Sequence, residues 1–400
     1  MKKAIIAAFV LISAAGRLVA GEADADAPSP FAFDRIVIDA DFPGGYQVET
    51  ADVDGDGKLD VVGLGGDVCA WYQNPTWKKR IITDKMTAPG VISSAAADID
   101  GDGKAEIAIA YEFEMNQPNR GKLLLAKQGA TLDDPWVVEP CPNIPSIHRL
   151  RWGDLDGDGR LQLLVAPIFG PAAKPPTYDD PAQIVSVVPG GVFLGPARGF
   201  VVAPLANRLV THAAEILPSF GPIKRPVVLV ASNEGVTLVE PGDGKAKAQV
   251  RALVPGATGE RPKRGASEIH RGKFKDGRMF LATVEPWHGT DVVVWPQKSA
   301  DSLEFGPRTV LDDTLADGHA LWVVDLNGDG QDEIFAGHRG KGHRVALYDY
   351  NADSRTWRRT IIDQAVAAQD LRGGDVDGDG KPDVVVIGGS THNVVLYQSR

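Results

Sequence analysis

Five stretches of the chain repeat one pattern of oxygen-bearing residues. The first is Asp52-Val53-Asp54-Gly55-Asp56-Gly57-Lys58-Leu59-Asp60, and close copies start at Asp98, Asp154, Asp325 and Asp375. Carboxylates fall at positions 1, 3, 5 and 9, with glycines at 4 and 6. A hard cation such as Ca²⁺ takes six to eight oxygens at about 2.3–2.6 Å. Side chains at 1, 3 and 5 of a tight loop converge on such an ion, the carbonyl of residue 7 joins them, and the acid at 9 closes the shell. The candidate ligands are Asp52, Asp54, Asp56, Lys58 and Asp60 in the first loop, and Asp98, Asp100, Asp102, Lys104 and Glu106 in the second. The third offers Asp154, Asp156, Asp158 and Arg160, but Gln162 at position 9 weakens it. The sixth unit offers Asp325, Asn327, Asp329, Gln331 and Glu333, and the last Asp375, Asp377, Asp379, Lys381 and Asp383. An EF-hand closes with Glu at position 12 between helices. Here the flanks read as strands, such as Leu59-Asp60-Val61-Val62 and Asp383-Val384-Val385-Val386. Up to five structural Ca²⁺ are expected.

The histidines are the second chemical feature. His148 precedes Asp154 by six residues and His319 precedes Asp325 by six, so both open an innermost strand. His212 opens a unit in the same way, and His288 falls in a turn after a second strand. All four belong at the end of a ring opposite the acidic loops. His270 lies in an inner strand. Arg149, Arg339, Glu285 and Trp287 gather with them. Imidazole, guanidinium and aromatic groups together suit a keto sugar or a polyhydroxylated anion.

The elements that position these groups are repeats. Between the third and fourth acidic loops there is room for two further units with worn loops. One runs from Thr211-His212-Ala213-Ala214-Glu215 to Val227-Val228-Leu229-Val230. The other contains Ser267-Glu268-Ile269-His270 and a short Asp276-Gly277-Arg278 turn. Seven units of about fifty residues, each with short alternating strands and Gly, Pro and Asp turns, predict an all-β, seven-bladed β-propeller. The last unit stops at Val394-Val395-Leu396-Tyr397 without an outer strand, and Phe33 to Asp39 matches the missing one. The N-terminal strand is therefore expected to close the last blade.

The bulk numbers bound the function. The 400 residues are 43% apolar and 24% charged, a globular composition, and the net charge is −11. No basic stripe offsets that acidity, so no nucleic-acid partner is expected. Lys2-Lys3, the apolar run Ala4 to Ala15 and small residues near Ala20 read as an export signal. The expected organisation is a signal over 1–20, a linker over 21–32 and a propeller over 33–400, secreted or periplasmic, with no membrane insertion. Cys69 and Cys141 allow at most one bridge.

These repeats resemble the FG-GAP/VCBS family of propellers. The resemblance implies that each metal loop joins an innermost strand to a second strand. The strings His148-Arg149-Leu150-Arg151-Trp152-Gly153-Asp154, Ala166-Pro167-Ile168-Phe169-Gly170-Pro171 and Glu285-Pro286-Trp287-His288-Gly289, with His319 and Trp322, resemble the propeller domain of the aldos-2-ulose dehydratases. Those enzymes carry cupin-type domains after the propeller, whereas the sequence here ends at Arg400. The resemblance implies a carbon–oxygen lyase acting on a keto sugar or oxidised glycoside. His148 and His319 are then the acid and base candidates. His288 and Glu285 orient groups or bind a further divalent metal at the channel mouth. Arg149, Arg151, His212, His270, Arg339 and Trp287 hold substrate. A non-catalytic carbohydrate- or protein-binding propeller is the main alternative, and a polysaccharide lyase or glycoside hydrolase the next.

Overall fold

A computed structural model describes residues 29–189, 200–242 and 247–400, with the backbone of Leu18–Val19. The described residues form strands and turns with no helix. Twenty-eight of the strands make seven four-stranded antiparallel sheets. Blade 1 comprises Gly45–Ala51, Asp60–Gly65, Val68–Gln73 and Lys78–Thr83. The innermost strands of blades 2 to 7 are Ser93–Ala97, Ile147–Gly153, Ala213–Leu217, Glu268–Lys273, Gly318–Val324 and Ala368–Gly374.

Burial explains the patterning. Second strands such as Asp60–Gly65, Val227–Ser232 and Asp383–Gly388 are buried at every position. Both of their faces pack against neighbouring blades, so they read as continuous apolar runs rather than alternating ones. Outer strands face water and keep charge, as in Lys78–Thr83. The core is a ring of seven interblade clusters. Blades 1 and 2 share Leu64, Trp71, Ile107 and Ile109. Blades 7 and 1 share Val385, Ile387, Val61 and Tyr72, which closes the circle.

The expected closure is present. Phe33–Asp39 pairs antiparallel with Val394–Ser399, with Ile36 opposite Leu396, and supplies the outer strand of blade 7. Arg35 Nε lies 2.7 Å from Asp363 Oδ2 and ties this strand to blade 6. The exchange gives blade 7 its fourth strand, so Val394–Ser399 is not left as a sheet edge.

The expected export signal falls on residues 1–20, of which only Leu18–Val19 is described, parallel to Thr309–Val310. No helix among the described residues is long and apolar enough to cross a membrane. Cys69 is buried and Cys141 half-buried, and the two are not bridged to each other.

Candidate functional site

Backbone irregularity, repeated around the ring, builds the histidine mouth. In blades 1, 3, 6 and 7 the pairing of the innermost strand shifts register at its start, between Gly45 and Gln47, Ile147 and Arg149, Gly318 and Ala320, and Ala368 and Asp370. A bulge leaves one residue unpaired and re-aims its side chain. The residues thrown out are Tyr46, His148, His319 and Gln369. His212 enters just before its strand, its N–H bonded to Ala231 O at 3.0 Å. His288 comes from the turn after the second strand of blade 5, with φ of 48°.

These side chains meet. His212 Nε2 lies 3.0 Å from His288 Nε2. Ring centroids are 4.9 Å apart for His212 and His319, 5.1 Å for His288 and His319, and 4.6 Å for His148 and His212. The Tyr46 hydroxyl is 2.7 Å from His148 Nε2 and 3.5 Å from His319 Nε2. The other ring nitrogens are tied back. His319 Nδ1 is 2.6 Å from Gln369 O, His148 Nδ1 is 3.1 Å from His212 O, and His212 Nδ1 is 2.8 Å from Glu268 Oε1. His288 Nδ1 is 3.3 Å from Asp317 Oδ1. In His212 and His319 an Nδ1–H that donates outward leaves the Nε2 lone pair facing inward, which is how histidine metal ligands are oriented.

Electrostatics favours the same form. Burial, then the charges of Arg149 and Arg339, push His212 well below the ordinary imidazole range. Burial and Arg339 do so for His319, and burial and Arg149 for His148. The rings are neutral and so available as ligands. His212, His288 and His319 each offer a nitrogen within 4.8 Å of the others, a set that could hold a transition metal. His212 Nε2 and His288 Nε2, 3.0 Å apart, are joined either by a His288 N–H, with its Nδ1 accepting from Arg339 Nη2 at 3.2 Å, or by a cation between them. Glu268, 2% exposed, and Asp317 supply negative charge behind this set.

An apolar wall flanks the histidines. Phe169 stacks on Tyr178 at 4.2 Å and 6°, and Trp287 meets both edge-on. The Pro-rich segment after Phe169 is thus part of the rim, its Ala173 and Tyr178 buried. Glu112, Ser146, Tyr178, Val210, His288 and Asp317 all have positive φ in turns of this same rim. Such backbone is costly for non-glycine residues, most of all for β-branched Val210, and concentrates at functional sites.

The expected residues fall in different places. His148, His212, His288 and His319 converge as placed, with Arg339 beside them, its Nε 2.8 Å from Asp317 Oδ2. Arg149 is 4% exposed and lies behind the histidines, donating to His148 O at 3.0 Å. Arg151 and His270 sit deeper on the innermost strands, where Arg151 bonds Leu150 O and His270 lies 3.2 Å from Glu215 Oε1. Trp287 packs into the wall. Glu285 is a correction. It ends a second strand, is fully buried, and accepts bonds from Thr283, Trp295 and Arg308 at 2.7, 2.9 and 2.7 Å. Its carboxylate is neutralised inside blade 5 and does not reach the histidines.

Tyr46, Gln369, Glu268 and Asp317 were not anticipated. Tyr46 and Gln369 precede Asp52 and Asp375 by six residues, the spacing that singled out His148 and His319. That register was the signal available for them.

The acidic loops lie at the opposite end of the strands. Asp52 accepts the N–H groups of Gly55 and Gly57 at 2.8 and 2.9 Å, and both glycines take positive φ, 77° and 85°. Asp60 accepts Val53 N at 3.0 Å and Asn74 N at 2.8 Å. Ligand atoms of Asp52, Asp54 and Asp60 fall within 4.8 Å of one another, as do those of Asp98, Asp100 and Glu106, of Asp154, Asp156 and Asp158, and of Asp375, Asp377 and Asp383. The donor set is all oxygen, which fits a hard cation. In the third loop Gln162 Oε1 bonds Leu155 N, and its Nε2 donates to Asp156 Oδ1 at 3.2 Å. An N–H donor there faces the ligand oxygens, so this loop is the poorer one.

The FG-GAP-like repeat matches residues 52–109, 98–165 and 325–386. No curated protein matches the chain in sequence. Among solved structures, a lectin of Agrocybe aegerita that specifically recognises non-reducing terminal N-acetylglucosamine is similar, with a TM-score of 0.51 and 14% identity over 81% of each chain. The Cps50 β-propeller domain of Myceliophteria thermophila has a TM-score of 0.53 at 9% identity, covering 91% of this chain and 99% of that one. At these identities the likeness is one of fold. The chain is a seven-bladed β-propeller carrying FG-GAP-like repeats.

Proposed function

We propose that the histidine mouth is the site of a metal-assisted carbon–oxygen lyase acting on a keto sugar or oxidised glycoside. The observation that carries this reading is the convergence of His212, His288 and His319 beside the Tyr46–His148 pair. A divalent cation held by the three histidines would draw electron density from a substrate carbonyl oxygen and acidify the C–H beside it. Tyr46 and His148 are the groups placed to handle the proton. His148 Nδ1–H donates to His212 O, so its Nε2 accepts from the Tyr46 hydroxyl. The α C–H bond breaks as the Tyr46 oxygen takes the proton and passes its own to His148. The C–O bond one carbon further then breaks, and the leaving oxygen takes the proton held by His148, relayed through Tyr46, which restores both groups and gives water or an alcohol and an enone. His319, expected as an acid or base, serves here as a ligand. The buried Phe169–Tyr178–Trp287 cluster braces the turn that carries His288, and Arg339 offers a cation to substrate oxygens.

The acidic loops are proposed as Ca²⁺ sites that tighten the blades. Metal that binds only the folded chain adds about 2.7 kcal/mol per site at a hundredfold excess over Kd. Chelation should lower the melting temperature and Ca²⁺ restore it. An export signal over residues 1–20 fits a Ca²⁺-rich environment.

The test is metal analysis of the purified chain, then a screen with keto sugars and 3-keto-glycosides followed by enone absorbance. Turnover that His212→Ala abolishes together with the bound transition metal supports the reading. Glycan binding at this mouth without any turnover would replace it with a binding propeller.

A further inference from the structure

The second acidic loop differs from its siblings in what faces it. In blades 1, 2 and 7 the residue of the third strand opposite position 9 reaches into the loop. In blade 1 it is Gln73, one step beyond the pair Val61–Tyr72. In blade 7 it is Gln398, one step beyond Val384–Tyr397. In blade 2 it is Lys127, one step beyond Ile107–Ala126. The two glutamines each give one amide bond, Gln73 Nε2 to Asp54 Oδ2 at 2.7 Å and Gln398 Nε2 to Asp377 Oδ2 at 3.3 Å. Either amide can rotate and offer its oxygen to an ion. An ammonium cannot. Lys127 Nζ lies 3.0 Å from Asp102 Oδ2 and 3.4 Å from Glu106 Oε1, and it also bonds Asp100 Oδ2. It reaches carboxylates from positions 3, 5 and 9 at once, the groups a cation would join.

We propose that Lys127 is the resident cation of this loop, so that blade 2 is held without Ca²⁺ although its loop has all four acids. This rests on the reading of the other acidic loops as Ca²⁺ sites. A divalent ion would have to displace a tethered charge from Asp100, Asp102 and Glu106, and would then sit beside it. The side chain is anchored for this role: Lys127 ends a paired strand and is only 21% exposed. The fold therefore contains one blade that keeps its loop ordered when Ca²⁺ is scarce.

The experiment counts Ca²⁺ bound per full-length chain, by equilibrium dialysis, in the wild type and in Asp54→Asn, Asp100→Asn and Lys127→Gln. Asp54→Asn should lose one ion and Asp100→Asn none. Lys127→Gln, which copies the residue of blades 1 and 7, should gain one. Loss of an ion in Asp100→Asn, or an unchanged count in Lys127→Gln, overturns the proposal while leaving the other loops as Ca²⁺ sites. If the wild type binds none, the Ca²⁺ reading fails separately. Melting in EDTA then decides for Lys127: a lower midpoint in Lys127→Gln supports its role as the loop's cation, and an unchanged one refutes it.

Discussion

Arg308→Met should destabilise the propeller while leaving the histidine mouth intact. Glu285 is fully buried and pairs with Arg308 Nε at 2.7 Å, with Thr283 and Trp295 as neutral donors. Burial pushes the Glu285 pKa up, and Arg308 opposes that rise. Removing one partner of a buried pair costs about 3–5 kcal/mol, because the other charge stays buried. Arg308 is 23% exposed and the two neutral donors remain, so the lower end, about 3 kcal/mol, applies. With an unfolding entropy of roughly 2 cal/mol/K per residue over a chain of this size, the melting midpoint falls by about 4 °C. The sign with pH follows from the raised pKa. The deficit is full where Glu285 is ionised in the variant and narrows as the pH falls and the carboxyl takes a proton. The assay is calorimetric melting of both proteins from pH 8 to 5. A midpoint within 1 °C of wild type at pH 8, or a gap that widens on acidification, refutes the reasoning. Glu285→Gln on an identified substrate should keep wild-type turnover, since the carboxylate lies away from the site.

Tyr46→Phe should cut turnover of a keto sugar by roughly 10²–10⁴, the range for losing a general acid or base, with bound metal and melting temperature unchanged. Full activity in that variant rules out the Tyr46–His148 pair. Deleting residues 21–40 should uncover Val394–Ser399 as a sheet edge, read as aggregation or a lower melting point by light scattering and calorimetry. A monomeric truncation with an unchanged melt contradicts closure. Asp312 gives a pH signature. Burial raises its pKa, but bonds from Thr314, Tyr348 and Arg359 outweigh this and hold it below the ordinary value. Its contribution is present above about pH 4 and lost as the pH falls through the lowered value, so the stability gap to Asp312→Asn should shrink in acid. A gap that stays constant from pH 7 to 2.5 argues against the assignment.

The repeats made the architecture legible. Asp52 to Asp60 and its copies fixed the period, the worn units beginning near His212 and Ser267 completed the count, and the unmatched strand at Phe33 announced closure. These are local patterns with a period, and a closed ring is the arrangement that buries seven of them. The same register placed His148 and His319, and would have placed Tyr46 and Gln369. What the register could not give was depth across a blade. Glu285, Trp287 and His288 are adjacent in sequence, yet Glu285 turns into blade 5 against Arg308, Trp287 packs on Phe169 and Tyr178, and only His288 meets His212. A turn sends neighbouring side chains in different directions, and only the packing of adjacent blades decides which of them reaches the channel. Lys127 makes the same point at the other end. Its loop has every acid the pattern asks for, and the cation that answers them arrives from a strand more than twenty residues away, brought in by antiparallel pairing alone.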